Sequence, residues 1–222
     1  LYNDGAIENV KEAGVYYPGW TCRFYCDVNA PAFDKLKTLD CEVVPMNFES
    51  DSWTNLFIRY KPATEDDVEV SIFRDADSRV NSREAGAVKE WLESDKALHY
   101  MRDDEVHYKI PIHSGMWGIK KGYLSNFYEL CDKWLSERGI TYVKNKKAAV
   151  DERFLEEVVW PSFQDNCIGH CGAGYCRVFE PVLKSWERPF PETEVMKWGH
   201  YVGCTIPILG ERKKVPVFRL KK

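Results

Sequence analysis

The chain has 222 residues, 44% of them hydrophobic, with a formal net charge of −4 and a sequence pI of about 5.8. This length suits one large α/β domain or two small ones, and the weak negative charge gives no reason to expect a nucleic-acid partner. No run of about 18 or more apolar residues occurs, so no membrane span is predicted. Because Leu1 is not Met and no signal-peptide pattern follows, we expect a fragment of a longer cytoplasmic protein whose eight cysteines are free thiols.

Alternating strand and helix patterns dominate the first 135 residues. In chain order they predict a helix over residues 4–14, a strand over 21–27, a helix over 31–39, and strands over 41–46 and 68–73. Cys22, Phe24 and Cys26 are expected on one face of the first strand. The β-α-β alternation favours an α/β fold with an open, mixed but largely parallel central sheet flanked by helices.

The second half begins with a helix that Asn81 caps, with Glu84 three residues later as in a capping box. Its apolar stripe is predicted to be Ala85, Val88, Trp91 and Leu92. Strands are predicted over residues 97–101 and 115–122, and helices over 124–139, ending at Gly139, and over 149–161, ending at Pro161. We expect the remainder to be an irregular tail of the same domain.

A local cluster of metal-binding residue types lies in that tail. Cys167, His170, Cys171 and Cys176 supply three sulfurs and an imidazole, which could ligate zinc. Their tight spacing differs from the usual ligand pairs of structural zinc sites, so a glycine-rich loop with incidental cysteines is the favoured interpretation.

Two aspartates, Asp75 and Asp77, follow the apolar strand over residues 68–73. Ligands of open α/β sheets bind beyond the carboxyl ends of strands. A turn there can bring both carboxylates to one centre, where Mg²⁺ or Mn²⁺ would take them together with phosphate oxygens. A short acidic motif is frequent in surface loops, but here a strand precedes it and a capped helix follows within a few residues.

Three arginines, Arg74, Arg79 and Arg83, surround these acids. They either form ion pairs that keep the loop folded or face phosphates or a sugar, and the sequence leaves both open. Asp151 and Glu152 begin a predicted helix, where the helix dipole alone favours acids. His200 lies in a glycine- and aromatic-rich segment, from which an imidazole could approach a metal.

Seven blocks of the sequence carry a resemblance to a known family. They are GAIEN at residues 5–9, YYPGW at 16–20, FIRY at 57–60, RDADSR at 74–79, IHSGMWG at 112–118, DERFL at 151–155, and ERPFP…HYVG within 187–203. Together they resemble the metal-dependent nucleotide-sugar glycosyltransferases of the GT-A fold that carry a DxD motif, over nearly the whole chain. The chain looks most like glycosyltransferase domains encoded by large algal (chlorella) viruses, which build capsid glycans.

The resemblance implies a single GT-A domain over residues 1–222, with a nucleotide-binding part at about 1–80 and an acceptor and sugar part at about 81–222. It implies Mn²⁺- or Mg²⁺-dependent transfer of a sugar from a UDP-sugar to a hydroxyl of a glycan or glycoprotein, in the host cytoplasm if the protein is viral. The sugar would be a hexose such as glucose or a deoxyhexose such as rhamnose. Similarity to the glycogenin-like branch favours retention of configuration, with inversion left open.

The resemblance also implies roles for single residues. Asp75, Asp77 and His200 would bind the metal, and Asp151 would act catalytically beside the anomeric carbon. The residues implied for nucleotide or sugar binding are Leu1, Tyr2, Arg59, Arg74, Ala76, Arg79, His113, Ser114, Gly115 and Glu152.

Two other functions are compatible with parts of the sequence. A haloacid-dehalogenase-like phosphohydrolase uses the first Asp of a DxD as nucleophile, but it needs a later acidic pair, and Asp103 with Asp104 follows too closely. A non-catalytic carbohydrate-binding module would use some of the eight Trp and twelve Tyr to stack on sugars. The protein core explains that aromatic content equally well.

Overall fold

The computed structural model describes residues 1–48, 54–145, 150–172, 185–191 and 202–203. The α-helices in these ranges are α1 (Tyr2–Tyr16), α2 (Phe33–Leu36), α3 (Thr54–Phe57), α4 (Ser82–Leu92), α5 (Phe127–Asn145), α6 (Val150–Phe154) and α7 (Trp160–Phe163). The strands are β1 (Arg23–Asp27), β2 (Glu42–Met46), β3 (Val70–Arg74), β4 (Leu98–Arg102), β5 (Met116–Lys120), β6 (Cys167–Cys171) and β7 (Glu187–Pro189). Ile58–Thr64 and Glu105–Lys109 form 3₁₀ helices, and Leu155–Val159 forms a π-helix.

The strands form two sheets, one of two strands and one of five. β1 and β2 pair in parallel, and the larger sheet has the order β3-β5-β4-β6-β7. Only β5 is antiparallel to its neighbours there, while β4, β6 and β7 pair in parallel. The prediction of a mixed sheet flanked by helices is therefore confirmed, and β3, β4 and β6 all end at the same edge.

Alternation along the strands of the larger sheet sends apolar side chains to both of its faces. Phe73 of β3 joins an aromatic core with Tyr60 and Trp117, against which the 3₁₀ helix Ile58–Thr64, α5 and α6 pack. Ile72 points the other way and packs against the buried Trp91 of α4. Because both faces are covered, all five residues of β4 and of β6 are buried.

The smaller sheet has a core of its own. Cys22, Phe24 and Cys26 pack together, as predicted, against Val10 of α1 and Leu36 of α2. The predicted helix over residues 31–39 shortens to α2, and α1 extends beyond the predicted 4–14. Each of these helix ends differs from the prediction by two or three residues, and fraying makes such boundaries hard to predict from sequence.

The cap of α4 forms only half of the predicted capping box. Asn81 Oδ1 accepts a hydrogen bond from the backbone N–H of Glu84 at 3.1 Å. The Glu84 side chain instead accepts from Arg74 Nε at 3.1 Å and from the Tyr17 hydroxyl at 2.9 Å. Glu84 is only 1% exposed. Arg74, one of the arginines left open by the sequence, therefore belongs to a buried ion pair beneath the end of β3.

Two sequence predictions about helix ends and one about the buried face of a helix are wrong. Gly139 does not end its helix, because one glycine weakens a helix by only about 1 kcal/mol and α5 continues to Asn145. Pro161 does not end the last helix either, since it occupies the first turn of α7, after the wider π-helical turn. Leu92 is 36% exposed, and Ala87 is buried in its place.

The favoured glycine-rich loop around Cys167 is also wrong for residues 167–171, which form the buried strand β6. Within a strand, Cys167 and Cys171 share one face and His170 lies on the other. His170 contacts His99 at 2.8 Å and Glu90 at 3.2 Å. Cys176, the last residue of the suggested zinc set, lies outside the described residues. Among the described cysteines none forms a disulfide.

The helices in the described ranges do not combine the length and apolar character that crossing a membrane needs.

Replacing Glu84 by Gln should destabilise the protein by about 3 kcal/mol, because it leaves the Arg74 guanidinium buried without a counter-charge. Urea denaturation at pH 7 measures the loss. Tyr17→Phe, which removes only a hydroxyl from the same cluster, serves as the matched control and should cost about 1 kcal/mol. Equal, small losses in both variants would show that Arg74 does not depend on Glu84.

Candidate functional site

The candidate site is built on the register of β3 and β5. Arg74, the last residue of β3, pairs with Met116, the first residue of β5. Because the strands are antiparallel, Asp75 and Gly115 then face each other just beyond the sheet edge. A Cβ added at Gly115 would lie 2.3 Å from Oδ2 of Asp75, so only glycine permits this approach.

A tight turn follows Asp75. The backbone N–H and the hydroxyl of Ser78 both donate to the Asp75 carbonyl oxygen, at 3.2 and 2.9 Å. This turn carries Asp77 on the same short loop as Asp75. Both acids predicted to bind a metal therefore lie at the end of β3, as the sequence pattern suggested.

Helix α1 supports the turn from the other side. Asn9 donates to the Ser78 carbonyl oxygen at 2.9 Å and accepts from the backbone N–H of Val80 at 3.4 Å. A Cβ at Gly5 would lie only 1.9 Å from the Ala76 carbonyl oxygen, so the helix backbone lies directly on the turn. Gly5 and Asn9, both in the GAIEN block, thus hold the acidic loop in place.

Each of the two acids has a side-chain partner. Arg59 Nη1 donates to Asp75 Oδ1 at 2.6 Å, and these side chains are 32% and 43% exposed. The Tyr2 phenol lies beside Asp77, and the negative charge of Asp77 raises the pKa of that phenol. Arg59 and Tyr2, predicted to contact the nucleotide, are therefore brought to the acidic pair.

Asp151 lies on α6 and is buried, with 5% of its surface exposed. The Tyr60 hydroxyl oxygen lies 3.4 Å from Asp151 Oδ2 and 3.4 Å from the Ser114 carbonyl oxygen, and it can donate to either. Burial raises the pKa of Asp151, while the nearby Arg59 guanidinium opposes that rise. Tyr60, which contacts Asp151 and Ser114, is the neighbour of Arg59, which contacts Asp75. One 3₁₀ helix therefore links the two parts of the site.

A histidine pair extends the site past Ser114. His113 Nδ1 lies 3.0 Å from Glu152 Oε1, and its Nε2 lies 3.2 Å from the His107 carbonyl oxygen. His107 Nδ1 accepts from the backbone N–H of Asp103 at 3.1 Å. The predicted sugar-binding residues His113 and Glu152 therefore contact each other beside Asp151.

Asp103 serves a structural purpose next to this pair. Arg83 donates to both of its carboxylate oxygens at 2.8 Å, and the backbone N–H of Val202 donates to Oδ2 at 3.1 Å. Arg83 also lies over the Phe190 ring, 4.1 Å from its centroid. The Asp103 carboxylate thus joins α4 to the buried Val202. The next residue, Gly203, packs on Met116.

The other predicted nucleotide- or sugar-binding residues have local partners. Arg74 pairs with Glu84, and Arg79 donates to the Ser78 carbonyl oxygen of its own loop at 2.8 Å. The side chain of Ala76 packs with the core of the smaller sheet. The Leu1 amino group lies 3.8 Å from Asp4. His200 lies outside the described residues.

The donor atoms at Asp75 and Asp77 fit a hard divalent cation. The described residues contain no group of three His, Cys, Asp or Glu side chains that could form a closed metal site. Mg²⁺-type ions commonly take only one or two protein carboxylates and complete their shell with water and substrate phosphates. Two carboxylates on one partly exposed turn suit that kind of binding.

The sequence predictions omitted two residues of the site. Tyr60 belongs to the FIRY block but was assigned no role, although its hydroxyl contacts Asp151. His107, in the 3₁₀ helix Glu105–Lys109, was missed because an isolated histidine carries no spacing signal. Both act through contacts between distant segments, which no local pattern records.

Comparison of the chain with protein-family models, curated proteins and solved structures found no match.

Replacing His107 by Asn should make stability less sensitive to acid. Burial, with the positive charges of neighbouring groups, lowers the pKa of His107 to about 3, from an ordinary value of 6.5. Between pH 7.5 and 5.5 the unfolded chain gains a proton at this position and the folded chain does not, so the wild type loses about 1 kcal/mol there. Asn keeps an acceptor for the Asp103 N–H and does not titrate.

Urea denaturation of both proteins at the two pH values measures the difference. The variant should lose about 1 kcal/mol less than the wild type between pH 7.5 and 5.5. Identical losses would mean that His107 takes up its proton without unfolding.

Proposed function

We propose that the protein is a metal-dependent glycosyltransferase that moves a sugar from a UDP-sugar to a hydroxyl of a glycan. The observation that carries the proposal is the meeting of Asp75 and Asp77 with Arg59 and the buried Asp151 at one sheet edge. A diphosphate leaving group is stabilised by nearby positive charge. The positive charge that develops on the sugar in the transition state is stabilised by a carboxylate. The resemblance of the sequence blocks to GT-A enzymes, with viral capsid glycans as a setting, supports the same conclusion.

Each residue has a role in this proposal. Asp75 and Asp77 would hold Mn²⁺ or Mg²⁺, which supplies positive charge to the diphosphate and stabilises UDP as the leaving group. Arg59 would donate to a phosphate oxygen, and Tyr2, which is 63% exposed, would lie beside the nucleotide. His113 and Glu152 offer polar groups to sugar hydroxyls.

Asp151 would face the reacting carbon of the sugar. A glycosyl transition state develops positive charge at that carbon, so a nearby carboxylate lowers its energy. The Tyr60 hydroxyl, at 3.4 Å, limits the rotation of this carboxylate. In a retaining reaction Asp151 stabilises the charge, and in an inverting reaction it accepts the proton of the acceptor hydroxyl.

Two observations favour the transferase over its rivals. A phosphohydrolase of the haloacid-dehalogenase type needs a second acidic pair for its metal, yet Asp103 is occupied by Arg83 and the Val202 N–H. A carbohydrate-binding module needs exposed aromatic side chains. In the part of the chain that the structure describes, Tyr60, Trp91, Tyr100 and Trp117 are fully buried in the core, and the exposed large aromatic side chains are those of Tyr2 and Tyr123.

Replacing Asp77 by Asn should lower transfer about 100-fold or more, because the amide binds a hard cation far more weakly than a carboxylate does. The measurement is UDP release from a panel of UDP-sugars with Mn²⁺, which also identifies the donor. Asp67→Asn removes an equal charge from an exposed position and should leave the rate unchanged.

Two results would contradict the proposal. One is release of UDP from no donor by the wild type, and the other is full activity of the Asp77→Asn protein. Phosphate release from a simple phosphoester, abolished in Asp75→Asn, would favour the phosphohydrolase instead.

Replacing Gly115 by Ala should weaken Mn²⁺ binding about tenfold while leaving the protein folded. The new Cβ would lie 2.3 Å from Asp75 Oδ2 and 2.4 Å from its Cγ, so the carboxylate must turn away into solvent. Calorimetric titration with Mn²⁺ measures the change, and thermal unfolding confirms the fold. Gly14→Ala, where a Cβ meets no atom within 4 Å, is the matched control and should bind Mn²⁺ normally.

A further inference from the structure

Each carboxylate of the acidic pair has a neighbouring side chain that a metal ligand set would not contain. Arg59 donates to Oδ1 of Asp75 at 2.6 Å, and the Tyr2 phenol lies close enough to Asp77 for the carboxylate to raise its pKa. The other oxygen of Asp75, Oδ2, faces the backbone at Gly115. A cation bound between the two acids would therefore compete with the guanidinium for Asp75 and would lie beside the phenol.

We propose that Arg59 and Tyr2 hold Asp75 and Asp77 until a divalent cation binds, and that the Arg59 guanidinium then moves from Asp75 to the diphosphate of the donor. This inference rests on the proposed function and adds to it an exchange of partner by Arg59. Arg59 thereby has two successive partners, one carboxylate and one phosphate.

The exposure of the Arg59–Asp75 pair makes such an exchange feasible. Its side chains are 32% and 43% exposed, and ion pairs this accessible to water contribute little net stability. Two positive groups on one carboxylate oxygen repel each other, so Arg59 leaves Asp75 when a cation binds there. By contrast, the Arg74–Glu84 pair, at 10% and 1% exposed, is buried and cannot be exchanged at similar cost.

Neighbouring residues keep the released guanidinium inside the site. Arg59 lies on the same short 3₁₀ helix as the fully buried Tyr60, so its backbone cannot move far. It also interacts electrostatically with Asp151 as well as with Asp75. A guanidinium attracted from two sides stays over the centre, where a diphosphate offers two oxygens in the geometry that arginine prefers.

The exchange predicts that one substitution at Arg59 has opposite effects on the affinities for Mn²⁺ and for UDP. Arg59→Met should bind Mn²⁺ alone about three- to fivefold more tightly, because a competing half-exposed ion pair is gone. The same variant should bind UDP, at saturating Mn²⁺, about tenfold more weakly, because a charge-assisted bond to phosphate is lost. Mn²⁺ electron paramagnetic resonance measures the first affinity and calorimetry with UDP the second.

Three further variants make the test independent of one substitution. Tyr2→Phe changes an exposed residue, so we expect the fold to be unaffected. The variant should bind Mn²⁺ about twofold more tightly, because the hydroxyl beside Asp77 is gone. Arg59→Lys keeps the charge and should bind Mn²⁺ like the wild type. Arg138→Met removes an exposed arginine that pairs with Glu157 on another face and should change neither affinity.

Each outcome supports or overturns the inference. Unchanged or weaker Mn²⁺ binding by both Arg59→Met and Tyr2→Phe overturns the holding role, and tighter UDP binding by Arg59→Met overturns the transfer to phosphate. In either case the proposed function stands if wild-type Mn²⁺ binding is lost in Asp77→Asn. A wild-type protein that binds no Mn²⁺ overturns the proposed function and this inference together.

Discussion

Because β5 runs antiparallel to β3, the residue that follows β3 meets the residue that precedes β5, and the rest of the candidate site depends on that meeting of Asp75 with Gly115. The absence of a side chain at Gly115 lets the carboxylate lie directly against the backbone. The turn at Ser78 and the support from α1 then hold Asp77 on the same loop. A one-residue slip of β5 would carry Gly115 away from Asp75 and place a larger side chain in its position.

Two arginines flank the end of β3 and differ in their surroundings. Arg74 is buried with Glu84, so breaking its ion pair would leave a charge in a medium that cannot solvate it. Arg59 pairs with Asp75 where water reaches both groups, and there a partner can be replaced at small cost. Arg74 and Arg59 have the same side chain and charge, and their ion pairs differ in how far they are buried. Burial holds Arg74 on Glu84, whereas exposure to water allows the partner of Arg59 to be exchanged.

Much of the fold and part of the site can be predicted from local pattern. The strand before Asp75, the cap at Asn81 and the shared face of Cys22, Phe24 and Cys26 all follow from periodicity or capping chemistry. Short-range signals of this kind are strong because neighbouring residues alone produce them.

What could not be predicted depends on contacts between distant segments. Glu84 matches a capping box, yet its carboxylate is drawn to Arg74 and Tyr17 from other elements. The segment from Cys167 to Cys171 looks like a glycine-rich loop, but burial between β4 and β7 turns it into a strand, in which Gly169 gives room to Tyr100. The role of Tyr60 emerges only when residues 60, 114 and 151 meet.

The charges gathered at the sheet edge give a physical reason for a cation. Asp75 pairs directly with Arg59, Asp151 interacts electrostatically with the same guanidinium, and Arg79 donates to backbone carbonyl oxygens of the acidic loop. The carboxylates of Asp75 and Asp77 would repel a diphosphate that approached this loop. Under the proposed function, a divalent cation held by Asp75 and Asp77 would reverse that repulsion and release Arg59 to act on the phosphate. The same acids that repel a diphosphate in isolation would thereby become the means of binding it.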